Sequence, residues 1–426
     1  VDKLLEAIAH GCKTKKKTLL YAEETETPMG RKLMERKDIN VIYLRFEQHL
    51  NFNHQYLVDT YTQNVFTVSA SRPIDEEVLR FHSWTLEIGI TPDYFYNGSE
   101  FLQEKANYFA KLLGLASLSL EQTLLTRDKV EMKTKLHSSG IPVMPFMGID
   151  NLDEIKDFAK IYKYPIIFKR RKGQSCIDTY KLTSNYDIAQ LPYKEIPPHK
   201  FMVEKFDDGK EWIIDGLVQD GKVLRTFITY VPNSPLTAMV EQSVRGHIAV
   251  NETPGNFNFI PRNLIQSIIT MAKLRNGYIH LECFIDKNGK PTVGEFGWRP
   301  SGHRIIENHS YVTGMDIYDL IIDVVTGKPV KIEEHKNGNT VIGNVFLPQK
   351  SGLVTDVLSN EQVLEQDGVF RAEIYSRVGD FHQMQRKSSE TAGYAFIKGE
   401  SVLSVETKMR QMFKYFYENM KTTKTQ

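Results

Sequence analysis

The sequence predicts an α/β chain of mixed α+β character, built from more than one unit. Three observations carry this. Short apolar runs alternate with amphipathic helical patterns up to about residue 115, as in an open α/β layer. Further along, polar Gly-containing turns separate apolar runs into antiparallel hairpins, 211–218 with 222–231 and 278–285 with 291–296. Finally, 426 residues exceed what one small core organises.

Taken in order, Thr18–Ala22 (TLLYA) is a short apolar run suited to a buried parallel strand. A helix is expected around 31–37, strands at 40–46 and 63–69, a helix at 76–86 and a strand at 91–96. Ser99-Glu100 opens an amphipathic helix with Leu102, Ala106, Phe109 and Leu113 on one face, stopped by Gly114. No GxGxxG occurs there, so no dinucleotide site is expected in this layer. A second unit starts near Ser117: helices at 127–139 and 152–161, strands at 164–169 and 177–182, a short helix at 184–191, and a strand at 200–206. The two hairpins follow, with a helix at 263–274 between them and one helix over 311–326 after them. The last part holds separate strands at 339–347, 368–375 and 392–398 and a closing helix over 402–419, expected to pack on the preceding sheet. The Lys cluster at 13–17 reads as a solvated loop and the tail KTTKTQ as frayed.

Bulk properties exclude several classes. A net charge of +1 gives no electrostatic case for nucleic acid or an anionic membrane. No apolar run is long enough to span a bilayer. The three cysteines, Cys12, Cys176 and Cys283, are far apart and form no CxxC pair, which speaks for a reducing, cytoplasmic setting.

Four segments carry candidate chemistry. In the hairpin 278–296, Glu282 and Glu295 sit on opposite arms, where pairing would bring the carboxylates together; such a pair is costly to bury unless a cation joins it. Arg299 and Arg304 follow around Ser301-Gly302, so the stretch suits phosphoryl transfer, or else a hairpin with surface acids. In RRKGQSC, Lys169 heads a small-residue loop whose amides and Ser175 hydroxyl could hold phosphate oxygens; a solvated turn is the other reading, and no Walker A pattern is present. In VEKFDDGKE, Glu204, the backbone of Lys205 and Phe206, and Glu211 could form an adenine and ribose slot, or simply a strand and polar turn. Lys129 precedes a helix ending in Gly-Ile-Pro.

Together these segments, TRDKVEMKTKLHSSGIPV, YPIIFKRRKGQS, FMVEKFDDGKEWIIDGLV and IHLECFIDKNGKPTVGEFGWRPSG, resemble the ATP-grasp superfamily over roughly residues 95–330. Within it the chain resembles L-amino-acid ligases of the bacilysin-synthesis kind and related carboxylate–amine ligases, on His280-Leu281-Glu282, Glu295, Arg299 and Ser301-Gly302, and on LPQKSGLV and RVGD near the end. The resemblance implies an ATP-grasp fold with an N-terminal open α/β domain (1–115), a small lid (116–202) and a C-terminal antiparallel-sheet catalytic part with an extension (203–426). It implies ATP bound by Lys129, Lys169, Ser175, Glu204, Lys205, Phe206 and Glu211, and Mg²⁺ (or Mn²⁺) on Glu282 and Glu295. Arg299 would be the catalytic group. Arg299, Ser301, Gly302, His303, Arg304 and His247 would bind substrate, His247 from a Gly-containing loop that it shares with Arg245. The implied reaction activates a small carboxylate as an acyl phosphate and joins it to an amine; alternatives are transfer to the thiol of an acyl-carrier protein, or a non-catalytic ATP-binding regulator. The implied partners are small molecules, with oligomeric state open and a homodimer one option.

Two positions depart from the pattern. Gly297 stands where many relatives have an Asn metal ligand, and Cys176 where the phosphate loop usually has Gly. Trp298 is expected to narrow the acyl pocket.

Overall fold

A computed structural model describes residues 16–24, 27–47, 64–192, 197–250, 262–332, 340–383 and 387–423. Cys12, Lys13, Lys15, Gln63, Asn339 and the tail residues 424–426 of the expectations above lie outside them. The chain divides into two compact units, Val1–Thr123 with Tyr318–Val330, and Leu124–Ile317 with Lys331–Gln426.

The first unit is the expected open layer. Four parallel strands, β1 (Thr18–Ala22), β2 (Asn40–Phe46), β3 (Val65–Val68) and β4 (Tyr94–Asn97), lie in the order β3-β2-β1-β4. Every residue of β1 is buried, which is why it reads as an unbroken apolar run rather than an alternation. The helices Ile74–Ile88 and Gln103–Leu112 bring Phe81 and Phe109 onto Leu20, Ile42, Leu44 and Phe66 to form the core. The first of these helices outruns its expected span. Three acids in its first turn favour its start, and Gly89, at φ +68°, ends it. The single helix expected over 311–326 is two, Ile305–Thr313 and Ile317–Val325, because Gly314 at φ +71° stops the first. Asp319 and Asp323 of the second accept from Arg36 at 3.1 and 2.6 Å, tying that helix to the first unit.

The second unit holds the remaining sheets. β5 (Phe146–Gly148), β6 (Ile166–Arg170), β7 (Tyr180–Leu182) and β8 (Phe201–Lys205) form a small antiparallel sheet in the order β5-β8-β6-β7. Helix Asp153–Tyr162 covers it, burying Ile155 and Phe158 against Phe168 and Val203. The larger sheet begins with β9 (Lys210–Gln219), β10 (Lys222–Tyr230), β11 (Gly246–Val250), β12 (Gly277–Ile285), β13 (Pro291–Trp298) and β14 (Val341–Leu347). β15 (Gly352–Asp356) leaves it for a three-stranded sheet; β16 (Val369–Ile374) and β18 (Gly393–Gly399) return, while β17 (Phe381–His382) and β19 (Lys421–Thr423) flank β15. The result is eight antiparallel strands in the order β13-β12-β9-β10-β11-β14-β18-β16. Both expected hairpins are present, and the closing helix runs over Val402–Asn419 as read from its pattern.

Three further expectations fail. Arg245 and His247 do not lie in a loop together: His247 is within β11, paired on both sides, because GHIAV is short and apolar enough to be an interior strand. The tail does not fray at 421–423, which pairs with β15. The strand expected from Ile177 begins only at Tyr180, since Ser175, Cys176 and Asp178 all have positive φ (53°, 56° and 51°) and cannot extend. Among the described residues, no helix is long and apolar enough to cross a membrane.

Candidate active site

The site is built where the small sheet faces the edge of the large one. Asp128 caps helix Lys129–Ser138, accepting from the amides of Val130 (3.0 Å) and Glu131 (3.4 Å), and also pairs with Arg171 at 3.0 Å. That cap places Lys129 on the first turn, pointing at the hairpin. Its ammonium meets Glu295 at 2.9 Å and donates to the Gly173 carbonyl at 2.8 Å. One turn later Lys133, fully buried, meets Glu204 at 3.0 Å and donates to the Val293 carbonyl at 3.2 Å. Lys169, at the end of β6, takes the other oxygen of Glu204 at 2.5 Å. Glu204 is thus clasped by two lysines. Burial alone would raise its pKa, but Lys133 and Lys169 hold it down to about 2. Burial and the neighbouring Lys169 charge lower Lys133 in turn, despite Glu204.

Register delivers the carboxylate pair. Glu282 of β12 lies directly across from Glu295 of β13, and the pairing slips by one residue immediately afterwards, a bulge beside the site. Glu295 is pushed up by burial but carried to about 2 by Lys129 and Lys169. Glu211, buried on β9, goes the other way: burial and the fields of Glu282 and Glu295 raise it well above the usual carboxylate range. Glu211 is thus driven towards protonation while Glu295, beside Lys129, is held ionised. Among the described residues, no three His, Cys, Asp or Glu side chains are arranged to hold a metal by themselves. Two adjacent hard-oxygen donors, with phosphate and water completing the shell, nevertheless fit a small divalent cation such as Mg²⁺.

A second layer supports the pair. His280 donates from Nδ1 to Asp215 at 2.8 Å, and its other nitrogen lies 3.5 Å from Glu282. Burial would lower its pKa, yet Asp215 and Glu282 lift it to about 9, which favours the protonated ring. Asp215, completely buried, also takes the hydroxyls of Tyr278 (3.2 Å) and Ser301. Beyond the turn lie two neutral imidazoles. His303 falls to about 4 through burial and the charges of Arg299, Arg245 and His280; burial and His303 lower His247 well below its ordinary value. The rings of His247 and His303 stack at 6.1 Å, beside Phe346. Nδ1 of His247 is buried with no hydrogen-bond partner.

The structure therefore gathers Lys129, Lys169, Glu204, Glu211, Glu282 and Glu295, with Arg299 near enough to act on His280 and His303. Other expected residues are engaged elsewhere. The amides of Lys205 and Phe206 donate to the carbonyls of Pro145 (2.9 Å) and Pro165 (3.4 Å), so they are not free to read an adenine edge. Arg304 is held by Glu307 (2.8 Å), Glu373 (2.6 Å) and Tyr375 (2.9 Å), and Ser301 by Asp215 and His280. A Cβ at Gly302 would meet nothing within 4 Å. Trp298 does not narrow the pocket: it alternates away from Glu295 and Gly297, and its ring lies against Gly277, where a Cβ would come within 2.8 Å. The thiols of Cys176 and Cys283 are pushed up to about 12 by burial, which fits no nucleophilic part for either. Sequence reading passed over Lys133 and Asp215. The spacing of four between Lys129 and Lys133 on one helix face, and a lone Asp inside the apolar WIIDGLV, were the available signals.

No protein-family model matches the chain. An L-arginine-specific L-amino acid ligase of Bacillus subtilis is 23% identical over 344 residues, 79% of each chain. An N5-carboxyaminoimidazole ribonucleotide synthase of Staphylococcus aureus (strain N315) is 23% identical over 300 residues, 68% of this chain and 71% of that one. In three dimensions, an L-amino acid ligase from Bacillus licheniformis superposes with a TM-score of 0.74 at 18% identity, covering 97% of this chain and 100% of the other. The fold is that of the ATP-grasp enzymes, and the chain is similar to L-amino acid ligases among them.

Proposed function

We propose that the protein is an ATP-dependent, ADP-forming ligase that activates the carboxylate of an amino acid or similar small acid and joins it to an amine. The observation that carries this is the Glu282–Glu295 pair, set in register opposite Lys129 and Lys169 with Arg299 just beyond. The likeness to L-amino acid ligases supports the choice of acid and acceptor.

In this reading residues 116–202 act as a lid and 203–426 as the catalytic part. Lys129 and Lys169 exchange their carboxylate partners for phosphate oxygens when ATP enters, and Ser175 lies at the tip of the loop over the phosphates. Glu282 and Glu295 would hold Mg²⁺, which would supply positive charge to offset that of the phosphates. An oxygen of the acid attacks the γ-phosphorus, ADP leaves, and an acyl phosphate remains. The amine then attacks the acyl carbon, its proton departs, and inorganic phosphate is released. Arg299 offsets the negative charge that grows on the acyl oxygen, a contribution of roughly 3–4 kcal/mol for a well-placed donor. His303 and His247, both neutral, line the far side and leave Arg299 as the cation facing the acid.

The test is a screen for phosphate release that depends on an added acid, run with free amines, with a holo carrier protein, and with bicarbonate in place of an organic acid. Amide product with free amines is expected. Glu295→Ala should lower turnover by about a thousandfold, within the range for losing an electrostatic contact to the reacting phosphates. No acid-dependent release under any arm, or full turnover in Glu295→Ala, would overturn the reading.

A further inference from the structure

The tip of the phosphate loop rests on a segment from far along the chain. The Ser388 amide donates to the Ser175 carbonyl at 3.0 Å, and the Cys176 thiol is hydrogen-bonded to Ser388. Glu211, Glu282 and Glu295 are near enough for their charges to act on Cys176, so the contact is made on the side of the loop that the acids share. The turn carrying Ser388 is fixed from below. Glu390 donates its amide to the Lys387 carbonyl at 3.3 Å, and Thr391 and Ala392 both donate to the Leu347 carbonyl at 2.8 Å, at the end of β14. Above all, the buried guanidinium of Arg245 donates to the carbonyls of Ser388 and Glu390, the latter at 2.6 Å.

That use of Arg245 is unusual. Neither acceptor is charged, so a buried cation is committed to two backbone oxygens rather than to a carboxylate. Its donors fork across the turn in a way a lysine cannot reproduce. Its plane sits over Phe346, centred 5.0 Å away, and Phe346 in turn packs on His247 and His303 at 5.6 and 5.2 Å. A continuous chain of contacts therefore runs from the imidazole pocket through Phe346, Arg245 and the 387–390 turn to the phosphate loop.

We propose that Arg245 is a positioning residue for the nucleotide: by holding the 387–390 turn, it sets where Ser175 and Cys176 sit over the carboxylates, and it links that position to the pocket beyond Arg299. This rests on the ligase reading for its kinetic consequence, though not for the latch itself. The loop closes against a prepared surface rather than against ligand alone, so part of the ordering that ATP would otherwise impose is already in place.

The test uses the full chain with Arg245→Ala, Arg245→Lys, Ser388→Pro and Ser388→Ala. Proline removes the amide that reaches Ser175, whereas alanine keeps it, so the difference between the two isolates that bond. Amide exchange at 172–179 is measured without nucleotide, and kcat and KM are measured for ATP and for the acid. Arg245→Ala and Ser388→Pro should each speed exchange in the loop and raise the ATP KM by about tenfold or more, as expected for losing a charge-assisted or buried hydrogen bond. Arg245→Lys should recover part of the loss, Ser388→Ala should be milder than Ser388→Pro, and kcat at saturating ATP should change far less than KM. Were Arg245 only a packing residue, thermal stability would fall while loop exchange and ATP KM stayed put, and that result overturns the proposal. Were the loop's exchange to respond in all variants while no acid-dependent ATP turnover exists even in the parent protein, the ligase reading fails and the latch stands.

Discussion

Single residues decide most of this site's charge, and Glu204 shows how. It neutralises two lysines, one of them fully buried. Its folded pKa of about 2 lies below the ordinary 4.5, so the stability it contributes is present above pH 4.5 and is lost as pH falls towards 2. The shift corresponds to something on the order of 3 kcal/mol. Glu204→Gln should therefore be less stable at neutral pH, leaving Lys133 and Lys169 uncompensated, and its unfolding curve should flatten between pH 4.5 and 2; thermal melts across that range check both. Gly297 allows a gain instead of a loss. A Cβ there would meet only Arg299, at 3.6 Å, which is ordinary contact. Gly297→Asn should add an oxygen donor beside Glu295 and lower the divalent-ion concentration needed for half-maximal turnover by about tenfold, the low end of what groups around a metal contribute. At this scale the sequence told residue types and order well. It missed commitments: that Arg304 and Ser301 were held by neighbours, and that Lys133 was needed, are facts of three-dimensional partnership that no local pattern carries.

Among elements, the most telling is helix Lys129–Ser138. Its position is set by the Asp128 cap and the Asp128–Arg171 pair, so the cap both starts the helix and orients Lys129. Asp128→Ala should cost about 1–2 kcal/mol in stability, as loss of an N-cap does, and should also raise the ATP KM because Lys129 loses its aim; a melt and a kinetic titration of the same sample separate the two effects. Hairpins and long helices were legible because turn chemistry and period are local. The broken helix at Gly314 and strand β11 were not. Gly within a helical pattern can be tolerated, and five apolar residues carry no sign of which neighbours they will pair with. Cys176 lies between: its departure from glycine was visible, and the left-handed backbone at 56° explains why glycine suits that position.

For the whole molecule, the eight-stranded sheet is the feature with the widest reach. One of its contacts, β11 with β14, joins residues 246–249 to 342–345, and β18 and β16 attach only beyond that. Open α/β layering in the first unit could be read from alternation along the chain, whereas this sheet could not, since its order follows distant pairing rather than succession. The same geometry makes the protein's synthesis a matter of timing. A ribosome that has finished the hairpin with Glu282 and Glu295 has made every acid of the site, yet β11 still waits with one side bare, its GHIAV backbone open to any passing strand. Closure needs β14, about fifty residues beyond the hairpin and a few seconds at ordinary translation rates. A chain ended at residue 330 should accordingly accumulate as aggregate, and a separately supplied 331–426 fragment should rescue solubility when co-expressed; sedimentation of the two preparations decides it. Whatever binds nascent chains in the host would find its longest opportunity in that interval, with the catalytic acids already written and the sheet that gives them a place not yet shut.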